Sequence, residues 1–210
     1  MDPKHTAQQY DAIASWWLEQ MKGTKYGLGA LERALKFVGN GRKALDVGCG
    51  CEGRFIKTLR KRGFECSGLD ISQEMISLAR KRDPRATFFV GDICTWRLPQ
   101  RYDLITAWDS LFHLPLNSHK PVIEKLCRGL STQGTILFTC GDGDAPGTVR
   151  CGFGGKDFEY SSLGVAEFCR LLWRCGCTIQ HIEYDQYPEN HVFIIARKGS
   201  VGRASRNKNA

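Results

Sequence analysis

Ala44-Leu45-Asp46-Val47-Gly48-Cys49-Gly50-Cys51-Glu52-Gly53 is the stretch on which the fold turns. A short apolar run, Lys43–Val47, breaks into Gly48, Gly50 and Gly53, spaced G-x-G-x-x-G, and helical charge spacing follows over residues 54–62. A strand that turns into a helix through glycines lets backbone approach a ligand closely and lets the turn take positive φ. On its own the spacing suits a dinucleotide turn equally well. Asp46 separates the readings. At the end of a buried strand its carboxylate is costly without a partner. A ligand carrying a positive charge supplies one, whereas the pyrophosphate of a dinucleotide would be repelled.

Working outward, apolar runs at 64–69, 86–90, 103–107, 135–140, 178–184 and 192–197 join 43–47 as seven strand candidates. Helical patterns lie between them at 72–82, with Ser72 as N-cap and Glu74 in the first turn, at 118–130 with Pro121 in the first turn, and at 161–175. This alternation predicts an α/β fold with a mostly parallel sheet and helices on both faces. The last two strands leave no room for a crossover helix, so the closing strand is antiparallel. Two helices at 10–21 and 28–38 precede the sheet, and residues 141–155, with six glycines, form a long loop.

Asp70 ends the second strand and Asp92, in Gly91-Asp92-Ile93, ends the third in the same register as Asp46. Each could be a helix N-cap taken singly. Three aspartates on one edge point to a ligand site, because open α/β sheets bind at their carboxyl edge. Asp70 stands where an acidic side chain accepts hydrogen bonds from ribose hydroxyls.

Asp46-Val47-Gly48-Cys49-Gly50, Leu69-Asp70-Ile71-Ser72…Met75, Gly91-Asp92 and Tyr102-Asp103-Leu104-Ile105 resemble, in order and spacing, the successive motifs of class I S-adenosylmethionine-dependent methyltransferases. The resemblance covers about residues 42–197. It implies a single Rossmann-like three-layer sandwich with a seven-stranded, mostly parallel sheet and an antiparallel last strand. It also implies a helical N-terminal lid over 1–40, a core over 41–198 and a flexible basic tail over 199–210. The cofactor implied is S-adenosyl-L-methionine, with S-adenosyl-L-homocysteine as product. Gly48, Cys49 and Gly50 would pass under its amino-acid end, with Asp46 near the amino group. Asp70 would hold the ribose, Ile71 and Met75 would flank the adenine, and Asp92 with Ile93 would meet its edge. Trp108 would close the other side or pack in the core. The lid makes Tyr10 a cavity wall on the cofactor and Trp16 one on the acceptor, with Trp17 beside it; the two tryptophans could equally be core residues.

Acceptor-side residues come from loops at the same edge: Phe112 and His113 after the fourth strand, Tyr160 at the end of the glycine-rich segment, and Tyr187 and His191 between the last two strands. His113 is the candidate general base, since an imidazole titrating near neutrality suits a protonated nucleophile; the alternative is a hydrogen-bonded structural histidine. The fourth strand ends in Ala107-Trp108-Asp109-Ser110, unlike the Asn/Asp-Pro-Pro-Tyr motif of amino-group DNA methyltransferases. No Pro-Cys dipeptide occurs and no paired-glutamate loop of the protein-arginine type is seen. A small molecule accepting methyl on oxygen, nitrogen or sulfur is the expected substrate. The rivals are an NAD(P)-dependent oxidoreductase and a non-catalytic nucleoside-binding protein.

Composition agrees. The 210 residues suit one domain, and 42% hydrophobic with 25% charged residues excludes a disordered chain. No apolar run reaches the roughly 20 residues of a membrane helix, and residues 1–14 have no apolar core of signal type. A cytoplasmic monomer or homodimer is expected. The net charge of +8 suggests nucleic acid, but Lys198, Arg203, Arg206 and Lys208 crowd the last 13 residues with no aromatic among them, so nucleic acid is not the expected partner. The ten cysteines are expected as thiols, Cys49 and Cys51 the most accessible to a reagent, and no Cys/His spacing marks a metal site.

Overall fold

A computed structural model describes residues 2–199; the expected tail beyond residue 199 lies outside the described residues. Helix α1 (Pro3–Met21) starts earlier than its apolar pattern because Asp2 caps it, accepting from the Lys4 amide, and Pro3 occupies the first turn. Helix α2 (Leu28–Leu35) enters through Gly27 in the left-handed region, at φ 77°. The sheet then builds from β1 (Lys43–Val47), β2 (Glu65–Asp70), β3 (Thr87–Val90), β4 (Tyr102–Ala107) and β5 (Leu130–Cys140). Helices α3 (Arg54–Arg60), α4 (Gln73–Arg82) and α5 (His119–Gly129) connect them. Ser72 caps α4 as its spacing predicts, accepting from the Met75 amide.

One element departs from the expected chain path. Residues 141–155 are not a plain loop: β6 (Gly147–Phe153) and β7 (Lys156–Ser162) form a separate antiparallel hairpin, and α6 (Val165–Arg174) starts later than predicted. Strands β8 (Cys177–Glu183) and β9 (Val192–Lys198) complete the main sheet, in the order β3-β2-β1-β4-β5-β9-β8. β1 to β5 pair in parallel, while β9 is antiparallel to both β5 and β8. The predicted seven-stranded sheet with a reversed closing strand is therefore present.

Two apolar layers cover the sheet. On one face Val122, Ile123 and Leu126 of α5 and Phe168 and Leu172 of α6 pack against Ile105, Ile136 and Ile194. On the other, Leu31 of α2, Ile56 and Leu59 of α3 and Ile76 of α4 pack against Ala44, Leu104 and Leu137. Such side chains each contribute roughly 1.5–3 kcal/mol when fully buried. The expectation that all of residues 1–40 form a lid is thus divided. α2 belongs to the sandwich, and only α1 crosses the carboxyl edge, through a small cluster of Ala14, Cys51 and Met75 with Tyr10 and Trp17. Among the described residues no helix is long and apolar enough to cross a membrane.

All ten cysteines are free thiols. The expected reactive pair is not accessible: Cys49 and Cys51 are buried, and burial pushes the Cys51 thiol up to about 12. Cys151, on the hairpin, is the exposed thiol.

Candidate active site

The carboxyl ends of β1, β2 and β4 open into a cleft roofed by α1, with about 1090 Å³ of space between protein atoms, its mouth included. Its floor is the glycine turn. Gly48 and Gly50 both have positive φ, 69° and 56°, and the Gly48 and Cys49 amides donate to the Leu69 carbonyl at 2.7 and 3.1 Å. A side chain on Gly48 would lie 2.2 Å from Ser110 Cβ, so the turn closes only on glycine.

Four aspartates line the cleft, the three expected from the sequence and Asp109, and each of the expected three accepts a hydrogen bond. Asp46 is buried and accepts from the Thr106 hydroxyl at 2.7 Å; burial lifts its carboxyl to about 6, with Thr106 and the Arg54 guanidinium opposing. Asp70 is also buried, which raises it, but it accepts from the Gly50 and Ser72 amides at 2.8 and 2.9 Å. A carboxylate has about four acceptor sites, so Asp70 retains capacity on both oxygens. Asp92 lies two residues past the last paired residue of β3, Val90, rather than in register with it, and accepts from the Cys94 amide at 2.8 Å. Lys125 gathers the Ile93, Cys94 and Trp96 carbonyls and fixes this third loop.

Ile71, Met75 and Ile93 line the same side of the cleft. Trp108 does both things its sequence position allows, since it lines the cleft and is 95% buried against Tyr26, Phe55 and Phe193. Tyr10 reaches in from α1 and its hydroxyl lies 2.7 Å from His113 Nε2. Burial pushes the His113 imidazole down to about 4, with the Glu159 backbone opposing. The ring is therefore neutral at physiological pH but a weaker base than a histidine titrating near neutrality, and that part of the expectation is corrected. Phe158, Tyr160 and Phe112 surround it.

Two acceptor-side expectations fail on placement. Tyr187 is 84% exposed and stands away from the cleft, and Trp16 is 42% exposed, packed on Phe153, while its neighbour Trp17 faces inward. Phe112, Tyr160 and His191 lie behind the wall, touching residues that line it. Sequence reasoning assigned no role to Arg54, Asp109 or Ser110, which line the cleft. Asp109 carries the one visible signal, an acid directly after the fourth strand in a loop already placed at the active edge.

A reversed strand next to β5 and a glycine turn under a cleft give the chain the Rossmann-like fold of solved S-adenosylmethionine-dependent methyltransferases. Residues 44–134, fewer than half of the chain, match the family model described as methyltransferase domain. It is 29% identical over 162 residues to a phosphoethanolamine N-methyltransferase of Plasmodium falciparum, covering 71% of this chain and 59% of that protein. It is 30% identical to a ubiquinone biosynthesis O-methyltransferase of Proteus mirabilis, covering 64% and 58%. The chain thus spans less than two thirds of these curated relatives. In fold it matches the magnesium protoporphyrin IX methyltransferase of Synechocystis with bound S-adenosylmethionine, at TM-score 0.69 and 17% identity, over 95% of this chain and 98% of that one. A second solved structure, a complex with S-adenosylhomocysteine, superposes at TM-score 0.67 with 21% identity over 94% and 97%.

Proposed function

We propose that this protein is a methyltransferase that uses S-adenosylmethionine to methylate an oxygen, nitrogen or sulfur atom of a small molecule. The observation that carries the reading is Asp70, buried at the cleft wall, organised by two backbone amides and still able to accept from ligand hydroxyls. The matched methyltransferase domain and the small-molecule names of the relatives support it. The cofactor supplies a methyl group on a sulfonium, an electrophile that needs alignment with its acceptor more than acid–base help. In this chain Gly48 and Gly50 would admit its amino-acid end, Asp46 would offer negative charge there, and Asp70 would hold the ribose. Ile71, Met75, Asp92 and Ile93 would enclose the base, with Cys49 buried beneath the turn.

Tyr10 and His113 would meet the acceptor beyond Trp108. Since the imidazole is a weak base in the closed cleft, its stronger contribution is to hold the Tyr10 hydroxyl in place. Once an acceptor is identified, His113→Ala is expected to lower kcat about 10-fold while the Kd for S-adenosylhomocysteine changes less than 3-fold, measured by stopped assays and calorimetry. Equal losses in both would assign the ring to packing. Ten free thiols suit a reducing compartment such as the cytoplasm, where we expect a monomer or homodimer.

Calorimetric titration with S-adenosylhomocysteine and with NAD tests the reading. The former is expected to bind in the micromolar range and NAD not at all. Asp70→Ala should weaken binding by about 1–3 kcal/mol, roughly 5- to 150-fold, through lost hydrogen bonds to an ionised acceptor. Preference for NAD, or no change in the variant, would overturn the assignment.

A further inference from the structure

The loop joining β8 to β9 is tied to the cleft wall through one side chain. His191 Nδ1 lies 2.6 Å from Asp185 Oδ1, in its own loop, and His191 Nε2 lies 2.8 Å from Asp109 Oδ1. Asp109 lines the cleft and takes a left-handed backbone, φ 52°, with its amide donating to the Thr139 hydroxyl at 2.8 Å. Ionised carboxylates only accept hydrogen bonds, so an imidazole set between two of them satisfies both only when both nitrogens carry hydrogen. That form is the imidazolium. The three side chains are shielded, with 14%, 25% and 17% exposure for His191, Asp109 and Asp185, so the ion pairs are only partly screened.

We propose that His191 acts as a positioning residue, a cationic tie between Asp109 and Asp185 that holds the β8–β9 loop and the Asp109 carboxylate against the cleft and releases both when the ring loses its proton. The groups facing the ring are Asp185 from its own loop, Asp109 from the end of β4, and the Tyr26 hydroxyl from the α1–α2 connection, 3.4 Å from Nε2. Trp108 packs on its face. Gln186 donates to the Tyr26 hydroxyl at 2.7 Å, a second strand of the same attachment. Arg54 approaches through Tyr26, donating to its carbonyl at 2.8 Å and lying 5.6 Å from its ring centroid. The two carboxylates outweigh burial and raise the ring above its ordinary value of 6.5. A raised histidine stabilises the folded state fully below its unfolded value, and that contribution is lost as pH rises through the folded value. The tie is therefore firm below the ring's ordinary value and opens as pH rises through its raised folded value.

The tie itself does not depend on the methyltransferase reading, but its effect on ligand binding rests on it, so two independent readouts are used on the full chain. In histidine-labelled protein, the His191 ring resonance is expected to titrate above a free imidazole, and Asp185→Asn to lower that midpoint. In parallel, hydrogen exchange of residues 184–191, corrected for intrinsic rates, should accelerate at least 5-fold across the same interval in wild type. His191→Gln, which can donate but not titrate, should show no such step. The Kd for S-adenosylhomocysteine should weaken 3- to 10-fold through that interval in wild type only. Titration at or below 6.5, insensitivity to Asp185→Asn, or an unchanged step in His191→Gln would overturn the proposal. If His191→Gln fails to fold, the wild-type resonance and Asp185→Asn decide it. Absence of S-adenosylhomocysteine binding at every pH would instead remove the ligand reading and leave the resonance result standing.

Discussion

Gly48→Ala is expected to lose detectable S-adenosylhomocysteine binding at 100 µM ligand and to lower stability by about 2–4 kcal/mol, a sum of two costs. A residue with a Cβ at φ 69° pays roughly 1–2 kcal/mol for the left-handed conformation. The new methyl also lies 2.2 Å from Ser110 Cβ, and Ser110 cannot simply rotate away. Its own hydroxyl donates to the Val47 carbonyl at 2.9 Å, so relief must move the backbone after β4 and disturb Asp109 with it. For a chain of this size the loss corresponds to a fall in Tm of roughly 4–16 °C, measurable by calorimetry. Gly53→Ala is the control: it shares the positive φ, 63°, but its Cβ meets nothing within 4 Å. A Gly48→Ala protein as stable and as competent in binding as the Gly53→Ala control would show that the close approach to Ser110 is not what the turn requires.

Asp46→Asn should move stability and binding in opposite directions. The buried Asp46 carboxyl is raised from 3.8 to about 6, so relative to the unfolded chain its ionised form is disfavoured. The sign follows directly: the penalty is absent below about pH 4, grows as pH rises, and is complete above the folded value. A difference of about two pH units is roughly 3 kcal/mol, and an amide that keeps the Thr106 hydrogen bond should recover about 1–3 kcal/mol of it at pH 7.5. The variant should therefore melt several degrees higher than wild type at pH 7.5 and equally at pH 4. Its affinity for S-adenosylhomocysteine at pH 7.5 should fall about 10-fold, because the negative charge facing the cleft is gone. A lower Tm at both pH values would mean that Asp46 is a structural acid and not one kept charged for a ligand.

How much of this could be read from residues alone depends on which rule each feature obeys. The glycine turn, Asp46 and Asp70 at their strand ends and the Ser72 cap are local, and each was legible because spacing along the chain sets position in space; Asp92 lies past its strand. The reversed last strand followed from a connection too short for a crossover. The β6–β7 hairpin was not legible: β6 is exposed along nearly its whole length, its alternation is only Val149, Cys151 and Phe153, and its glycines read as loop. The choice of Trp17 over Trp16 was hidden for another reason. Consecutive helical residues point about 100° apart, and two adjacent indoles give no cue as to which faces the cleft. The Asp109–His191–Asp185 tie joins residues 82 positions apart and became visible only once β4 and the β8–β9 loop were placed side by side.

Tyr10 and Asp11 are neighbours on α1, yet they fasten the helix at opposite ends of the cleft. Tyr10 meets His113 after β4, while Asp11 accepts from the Ser72 hydroxyl and the Glu74 amide at the start of α4. A roof secured by two adjacent residues cannot lift over one compartment and stay down over the other. On the proposed function, any movement of α1 that parts Tyr10 from His113 would also pull on the Asp11 attachment, so the two contacts would respond to a bound ligand together.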